Sequence, residues 1–124
     1  MSALRKTCLI VDDSRAIRAV ARQLLEELGF DAREAANGLE AIASCREQMP
    51  DMILLDRNMP QLDGIGCVRA IRALPGGKEP KVIFCTTESS LMAIAEAIAA
   101  GADEYIMKPF DREILELKLS MVGI

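Results

Sequence analysis

Short apolar runs alternate with segments of helical periodicity five times along the chain, and this alternation limits the choice of fold more than any other feature. Three runs are continuously apolar, as is typical of strands covered on both faces, and they lie at residues 8–11, 53–55 and 82–85. Two weaker runs, at residues 31–35 and 105–107, suit the edges of a sheet. Because strands joined through helices run parallel, the pattern predicts an α/β fold with a doubly wound, five-stranded parallel sheet and five helices.

Turn and capping residues set the limits of the predicted helices. Apolar residues recur at i, i+3, i+4 and i+7 between Ile17 and Leu28, which predicts an amphipathic helix that stops at Gly29. The other four helices are predicted from capping residues and the segments that follow them: Asn37 before residues 38–48, Asp63 before 64–74, Ser89 or Ser90 before a helix ending at Ala100, and Asp111 before a last helix in which Ile114, Leu117 and Met121 share a stripe.

Charge and hydropathy argue against several classes of function. The formal net charge of −4 gives no general attraction for nucleic acid or for an anionic membrane surface. No stretch approaches the length of a membrane span, and the four apolar residues between Lys6 and Asp12, with Thr7, are too few for a signal peptide, so we expect a cytoplasmic protein. Four widely spaced cysteines without a CxxC pattern indicate reduced, packed thiols: Cys8, Cys45, Cys67 and Cys85.

Chemically active side chains follow four of the five predicted strands, directly where each apolar run ends. Asp12 and Asp13 follow the first strand, Asp56 the third, Thr86 the fourth and Lys108 the fifth. In a doubly wound parallel sheet the carboxyl ends of the strands share one edge, and binding sites lie there. The sequence therefore predicts that three carboxylates, a hydroxyl and an ammonium group converge at one rim of the sheet.

This set of side chains suits the transfer of a phosphoryl group. Carboxylates packed together raise one another's pKa unless a cation offsets their charge, and Mg²⁺ is the divalent ion that prefers such oxygen ligands beside a phosphate. Asp56 is the candidate nucleophile, since a carboxylate can carry an acyl phosphate. Lys108 and Thr86 would contact the phosphoryl oxygens. The chain contains no histidine, so a phosphohistidine donor must be another protein. The structural alternative makes Asp13 a helix cap and Asp56 a turn residue.

The whole chain resembles a response-regulator receiver domain, especially the stand-alone chemotaxis regulators of the CheY type. The matching motifs are LIVDDS at residues 9–14, LLDRNMP at 54–60 followed by DG at 63–64, TTE at 86–88 and KPF at 108–110. The resemblance implies a flavodoxin-like fold with strand order 2-1-3-4-5, an order taken from known members of that fold and not from this sequence. It also implies that residues 1–124 form a single receiver domain without an output domain.

The resemblance assigns roles to the residues at the predicted rim. A histidine kinase would phosphorylate Asp56 in a Mg²⁺-dependent reaction. Asp13, Asp56 and the main-chain carbonyl of Asn58 would bind the Mg²⁺ ion, and Asp12 would assist through a water molecule. Asn58 and Glu88 occupy the two positions that tune loss of the phosphoryl group, and their identities favour rapid self-dephosphorylation and a short-lived signal.

The same resemblance implies how a local charge would change a distant surface. Thr86 would be drawn toward the phosphoryl group, and Tyr105 would move into the vacated space. Helix 4, strand 5 and helix 5 would then bind the partner differently. A plainer interpretation of helix 4 is that one stripe is core and its small alanines form a smooth surface. A cis peptide bond is also implied between Lys108 and Pro109.

Two residues depart from common patterns in the resembled family. Arg57 directly follows the acceptor, where relatives often have an uncharged residue. Its side chain would approach the phosphoryl group or the kinase, or else lie in solvent, and the sequence leaves these alternatives open. Thr87 is bulkier than the Ala or Gly often found after Thr86, and it would narrow access to the phosphoryl group.

Several outputs are compatible with these residues. A component of the flagellar motor switch is the leading partner, because Thr86, Glu88, Tyr105 and Lys108 resemble those of motor-type regulators. A phosphate sink and a phosphorelay intermediate are the alternatives within the family. Outside it, a Mg²⁺-dependent aspartyl-phosphate phosphohydrolase would need Asp where Asn58 stands, and a flavodoxin-like electron carrier would not place Asp-Asp-Ser against a flavin phosphate.

Overall fold

The computed structural model describes residues 5–88 and 90–124 of the chain. Strands and helices alternate throughout this part: β1 (Thr7–Val11), α1 (Arg15–Glu27), β2 (Asp31–Ala35), α2 (Gly38–Glu47), β3 (Met52–Asp56), α3 (Gly64–Arg72), β4 (Lys81–Thr86), α4 (Leu91–Ala100), β5 (Glu104–Met107) and α5 (Arg112–Met121). All neighbouring strands pair in parallel, in the order β2-β1-β3-β4-β5. The predicted fold class and strand order are confirmed.

The observed elements differ from the predicted ones mainly at their ends. β2 has the predicted bounds, whereas the other strands extend by one or two polar or flanking residues. The extension follows from the main-chain ladder, which pairs N–H and C=O groups whatever the side chain is. Helices α2 and α3 end at Glu47 and Arg72, slightly before the predicted limits. No helix of the two described ranges has both the length and the apolar composition needed to cross a membrane.

Side-chain oxygens cap the helices as the sequence indicates, with one difference. The capping oxygens each accept a hydrogen bond from a main-chain N–H three residues later; they belong to Ser14, Asn37, Asp63, Ser90 and Asp111. Ser14, and not Asp13, caps α1, so the interpretation of Asp13 as a helix cap is wrong. Of the two serines proposed to cap α4, Ser90 does so, and Ser89 lies outside the described residues.

The core consists of two aliphatic layers, one on each side of the sheet. Alternate residues of a strand point to opposite faces, so Leu55 packs toward α2, α3 and α4 while Leu54 packs toward α1 and α5. Leu115 and Leu119 are the buried residues of α5. The predicted stripe of that helix instead faces outward, and its three residues are 42–59% exposed: Ile114, Leu117 and Met121. Because α5 lies over the edge of the sheet, the narrow apolar face formed by Leu115 and Leu119 is enough to pack it.

Helix α4 is attached to the sheet by small side chains. Its buried residues are Ala93, Ala97 and Ala100. The large apolar residues Leu91 and Met92 are 85% and 84% exposed. The plainer interpretation is confirmed in its core stripe, which three alanines form, and two further alanines, Ala95 and Ala99, are exposed. The outer surface is nevertheless not smooth, because Leu91 and Met92 also project from it.

The cysteines behave as packed, reduced thiols. All four are free and buried. Burial raises the pKa of Cys8 and of Cys67 to about 12, and it also raises the pKa of Cys45 and of Cys85. Thiols with raised pKa values remain protonated and unreactive at neutral pH. The prediction of structural cysteines is confirmed.

Arg72 of α3 contacts two loops, one before β4 and one before β5, at the end of the sheet opposite the carboxyl ends of the strands. Its guanidinium donates twice to the Gly101 carbonyl, at 3.0 and 2.7 Å, and also to the carbonyls of Gly77 and Pro80 at 3.0 and 2.7 Å. It pairs with Asp103 at 3.0 Å. Gly101 has a φ of 124°, and a Cβ there would lie 2.9 Å from the Arg72 side chain, so glycine is required for this approach.

We expect Arg72→Met to lower the free energy of unfolding by about 2–4 kcal/mol, because several carbonyls lose their donor while the apolar stem is kept. Urea unfolding measures the change. Arg112→Met is the matched control, since that side chain is 50% exposed and makes only surface ion pairs, and it should cost below about 1 kcal/mol. Equal effects of the two substitutions would contradict a special role for Arg72.

Candidate functional site

The carboxyl ends of four strands bring the predicted site residues to one rim of the sheet. Val11 of β1 pairs with Leu55 of β3. Asp12 and Asp56, which follow these two residues in the sequence, therefore lie side by side. Thr86 pairs with Met107, which places Lys108 beside the end of β4. The Lys108 Nζ atom lies 2.9 Å from Asp12 Oδ2 and 3.0 Å from Asp56 Oδ1. Residues far apart in sequence are therefore in direct contact.

Three carboxylates form a compact oxygen cluster at this rim. One oxygen each from Asp12, Asp13 and Asp56 lies within 4.8 Å of the others. Asp12 and Asp56 are buried, each with only 4% of its surface exposed, whereas Asp13 is exposed. Together with the Lys108 ammonium the cluster carries a formal charge of −2. A hard divalent cation with oxygen ligands would balance that charge, so these residues fit Mg²⁺.

Burial changes the acid–base properties of the two central groups. Burial raises the pKa of Asp56, the hydrogen bond from Lys108 counteracts part of the rise, and the charge of Asp12 adds to it. For Lys108, burial alone would lower the pKa, but the hydrogen bonds to Asp12 and Asp56 outweigh burial and raise it. Lys108 is therefore a stable ammonium group at neutral pH, and it holds the Asp56 carboxylate in a fixed position.

Asp12 is held through both of its carboxylate oxygens, whereas the two donors to Asp56 both reach Oδ1. Its Oδ1 atom accepts a hydrogen bond from the Ser14 N–H at 2.8 Å, and its Oδ2 atom contacts Lys108. Its main-chain carbonyl accepts from Arg18 Nη1 at 2.8 Å. Both carboxylate oxygens of Asp12 thus have protein partners already, which fixes the loop between β1 and α1 beside the cluster.

The Thr86 hydroxyl faces its own loop in this structure. It accepts a hydrogen bond from the Glu88 N–H at 2.9 Å and donates to the Glu88 carbonyl at 3.4 Å. The side chain is buried at the end of β4. Asn58 contacts Asp56 through its main-chain N–H, at 3.4 Å from Oδ1, and the side chains of Asn58 and Glu88 are exposed at the mouth of the site.

Tyr105 lies on β5 and is partly buried against the layer formed with α2, α3 and α4. The Lys118 Nζ atom of α5 stands 4.1 Å from the centroid of its ring and also pairs with Glu104 at 3.3 Å. The ring is thus held between β5 and α5 by a cation–π contact. The Lys108–Pro109 peptide bond is cis, as the resemblance implies.

Arg57 occupies a place that the sequence analysis did not foresee. Its Nη1 atom donates to the Ala93 carbonyl at 3.1 Å, and its Nη2 atom pairs with Glu96 at 2.8 Å. Only 16% of the Arg57 side chain is exposed. It therefore extends across to α4 and neither lies in solvent nor bonds to Asp56. The sequence did contain a signal for this position. Side chains alternate between the two faces of a strand, so the residue after Asp56 is expected on the face of Leu55, which packs toward α4.

Gly64 allows the segment after Asp56 to fold back closely on α3. A Cβ at this position would lie 2.8 Å from the Asp56 carbonyl oxygen and 2.8 Å from the Arg57 Cα atom. The Gly64 N–H donates to the Arg57 carbonyl at 2.9 Å. The Asp-Gly pair at residues 63–64 thus combines a helix cap with the small residue that the close approach demands.

Comparison with known proteins identifies the family of this chain. Residues 8–120 match the response regulator receiver domain. The chemotaxis protein CheY of Halobacterium salinarum is 38% identical over 109 residues, which cover 88% of this chain and 89% of that protein.

Solved structures agree with the match in sequence. The chemotaxis protein CheY4 of Vibrio cholerae superposes with a TM-score of 0.91 at 35% identity, covering 95% of this chain and 98% of that chain. A chain of the CheX–CheY–BeF₃–Mg²⁺ complex of Borrelia burgdorferi gives a TM-score of 0.89 at 29% identity, covering 96% and 90%. This protein belongs to the response regulator receiver domain family and is a signalling phosphoacceptor of the CheY type.

Proposed function

We propose that this receiver domain is a two-component switch in which a histidine kinase phosphorylates Asp56 in a Mg²⁺-dependent reaction. The contact of Lys108 with the buried Asp56 carboxylate, 3.0 Å long and made between two strand ends, is the observation that supports this most strongly. It sets a nucleophile and a fixed positive charge side by side beside an acidic cluster. Residues 1–124 act as one receiver domain in this proposal.

The acidic cluster is the proposed Mg²⁺ site. Asp13, Asp56 and the main-chain carbonyl of Asn58 would hold the ion, and Asp12 would act through a bound water molecule. The engagement of both Asp12 oxygens with Ser14 and Lys108 supports that indirect role. The Borrelia complex that resembles this chain contains Mg²⁺ together with BeF₃. When bound, Mg²⁺ would neutralise charge on the phosphoryl oxygens.

The proposed reaction moves a phosphoryl group from a phosphohistidine to Asp56. An Asp56 carboxylate oxygen forms the bond to phosphorus, while the phosphorus–nitrogen bond breaks and its electron pair stays on the donor's imidazole. The Lys108 ammonium then contacts a phosphoryl oxygen, and the Thr86 hydroxyl donates to another. The protein takes part in little covalent chemistry. It would accelerate the transfer mainly by aligning the reacting groups and by neutralising the charge on the phosphoryl oxygens.

Loss of the phosphoryl group is proposed to be rapid. Asn58 and Glu88 are exposed at the mouth of the site, where they can meet a water molecule approaching the phosphoryl group. The domain would then dephosphorylate itself and give a short-lived signal. Thr87 is also exposed there, so its bulk would restrict the approach of larger groups.

The output surface is proposed to consist of α4, β5 and α5. Thr86 would exchange its bonds to Glu88 for the phosphoryl group, and Tyr105 would move into the vacated space. Large apolar side chains exposed on the two helices support a protein-binding surface: Leu91, Met92 and Ile98 on α4, and Ile114, Leu117 and Met121 on α5.

Chemotaxis is the proposed setting, and a component of the flagellar motor switch is the proposed partner. The relatives named as chemotaxis proteins support the setting. A phosphate sink and a phosphorelay intermediate use the same chemistry without this partner. The complex of CheX and CheY from Borrelia burgdorferi supports a protein partner for a regulator of this type.

We expect Mg²⁺ to stabilise the folded protein at neutral pH, by about 1.4 kcal/mol at ten times its dissociation constant. The raised pKa of Asp56 means that the folded chain binds a proton more readily than the unfolded chain, so without metal the contribution of Asp56 to stability falls as the pH rises toward that pKa. Above the pKa of Asp56, bound Mg²⁺ would offset this loss of stability. As the pH falls through that pKa, protons would compete with Mg²⁺ for Asp56 and displace the ion.

Thermal unfolding with and without Mg²⁺ across this pH range measures the effect. Asp13→Asn should abolish the stabilisation. The matched control is Asp31→Asn, because Asp31 lies at the other end of the sheet in an exposed ion pair with Arg5. A full Mg²⁺ effect in Asp13→Asn would exclude that aspartate as a ligand.

We also expect the chain to take up one phosphoryl group from acetyl phosphate and Mg²⁺, and Asp56→Asn to take up none, since the nucleophile is lost. Intact-protein mass spectrometry gives the stoichiometry. Asp51→Asn serves as the control, because Asp51 lies at the opposite end of β3 and bonds to Thr7. After removal of the donor the phosphoryl group should disappear within minutes, and a lifetime of hours would contradict the proposed roles of Asn58 and Glu88.

The output proposal predicts that a motor-switch peptide binds the beryllofluoride-activated domain and not the unmodified one. Tyr105→Ala should weaken that binding about tenfold, as expected for the loss of a central aromatic contact. Leu39→Ala is the control, since Leu39 is an exposed apolar residue on α2, outside the proposed surface. Isothermal titration calorimetry gives both affinities. Absence of peptide binding in both states would favour a phosphate sink or a relay intermediate.

A further inference from the structure

Helix α4 is held to the sheet by little apolar surface. Three alanine methyl groups form its buried stripe. Each methyl contributes far less to burial than a leucine or isoleucine side chain would. Of the four large apolar residues of the helix, Leu91, Met92 and Ile98 are exposed and Ile94 is only partly buried. Polar contacts therefore account for an unusually large part of what fixes the position of this helix.

Arg57 makes two polar contacts with α4. The guanidinium reaches the third and sixth residues of the helix, through the Ala93 carbonyl at 3.1 Å and the Glu96 carboxylate at 2.8 Å. Two contacts from one planar group fix both the distance and the orientation of the first two helical turns. The Arg57 side chain is only 16% exposed, so its bond to the Ala93 carbonyl is partly shielded from solvent, whereas Glu96 is 53% exposed and its ion pair is screened more.

The other end of Arg57 is fixed to the phosphoacceptor strand. Its main-chain N–H donates to the Cys85 carbonyl at 3.0 Å, and its carbonyl accepts from the Gly64 N–H at 2.9 Å. It directly follows Asp56 in the sequence. The side chain thus connects a rigid strand end with a weakly packed helix.

The chain that precedes α4 begins at Thr86. In this structure the Thr86 hydroxyl is bonded to Glu88, and α4 begins at Leu91. A shift of Thr86 toward a phosphoryl group would pull on this short connection and hence on the first turns of α4. Those are the turns that Arg57 holds in place.

We propose that Arg57 is a positioning residue that holds α4 in its unphosphorylated arrangement, so that activation at Asp56 has to loosen the contacts of Arg57 with Ala93 and Glu96. This inference rests on the proposed function, since it presupposes a switch at Asp56. The inference adds to the proposed function a residue, Arg57, that opposes the change of α4 on activation. Coupling between two sites is reciprocal, so a partner that binds the shifted α4 also favours activation at Asp56.

Beryllofluoride with Mg²⁺, an analogue of the phosphoryl group, tests this inference. Arg57→Met keeps the apolar stem and removes the guanidinium, and it should tighten beryllofluoride binding about three- to tenfold, the range expected for one partly buried ion pair with a hydrogen bond. Without beryllofluoride, the amide resonances of α4 in this variant should move toward their positions in the activated wild type.

Glu96→Gln separates the proposed contact from a plain charge effect. The two substitutions change the local charge in opposite directions, so a field effect at the site would shift the beryllofluoride affinity in opposite directions. Loss of the contact between Arg57 and Glu96 would instead tighten beryllofluoride binding in both variants. The free energy of binding gained by the double variant should be smaller than the sum of the gains of the two single variants. Arg112→Met, which removes an arginine with ion pairs to Glu27 and Glu116, should leave the affinity unchanged.

Three other outcomes would overturn the proposal. If Arg57→Met lowers only the unfolding free energy and leaves both affinity and α4 resonances unchanged, Arg57 is merely structural. Opposite shifts in Arg57→Met and Glu96→Gln would show a field effect. If wild-type protein gives no response to beryllofluoride and Mg²⁺, the proposed function fails, and this inference fails with it.

Discussion

The contact of one ammonium group with two buried carboxylates is the constraint on which the rest of the structure depends. Lys108 holds Asp12 and Asp56 at hydrogen-bond distance, at a rim from which water is largely removed. Removal of Lys108 would leave two buried carboxylates without their cation, which costs several kcal/mol. Even with Lys108 present the cluster retains excess negative charge, and that excess is what suits it to a divalent cation and then to a phosphoryl group.

The parallel sheet is what allows such a site to form from distant parts of the chain. All five strands end at the same edge of the sheet, and the loops that follow them begin there. One or two residues at each of four strand ends are therefore enough to form the site. The rim can be polar because the layers beneath it are not: the central strands are buried on both faces and bear the aliphatic core. Arg72 closes the opposite end by donating hydrogen bonds to carbonyls of two loops, so the two ends of the sheet are stabilised by different chemistry.

Unequal packing around the sheet separates a fixed part from a movable part. The strands and α3 bury large side chains such as Phe84 and Ile71, whereas the buried residues of α4 are three alanines and three of its four large apolar side chains are exposed. Few buried apolar contacts mean a small free energy for local displacement. The same distribution leaves large apolar side chains of α4 exposed. Arg57 joins the fixed part to the movable one, and Tyr105 lies at the boundary under Lys118.

Local sequence determined most of the architecture: continuous apolar runs defined the strands, and caps such as Asn37 and Asp111 defined the helix starts, because hydrogen bonding and side-chain periodicity act within a few residues. The strand order came from resemblance. Only the tertiary structure decided which apolar residues are covered and where Arg57 reaches, since both depend on which element happens to lie opposite. Periodicity shows that a helix has an apolar face, but neighbouring elements decide how wide a face they cover, and a long flexible cation takes whichever acceptor the fold brings near it.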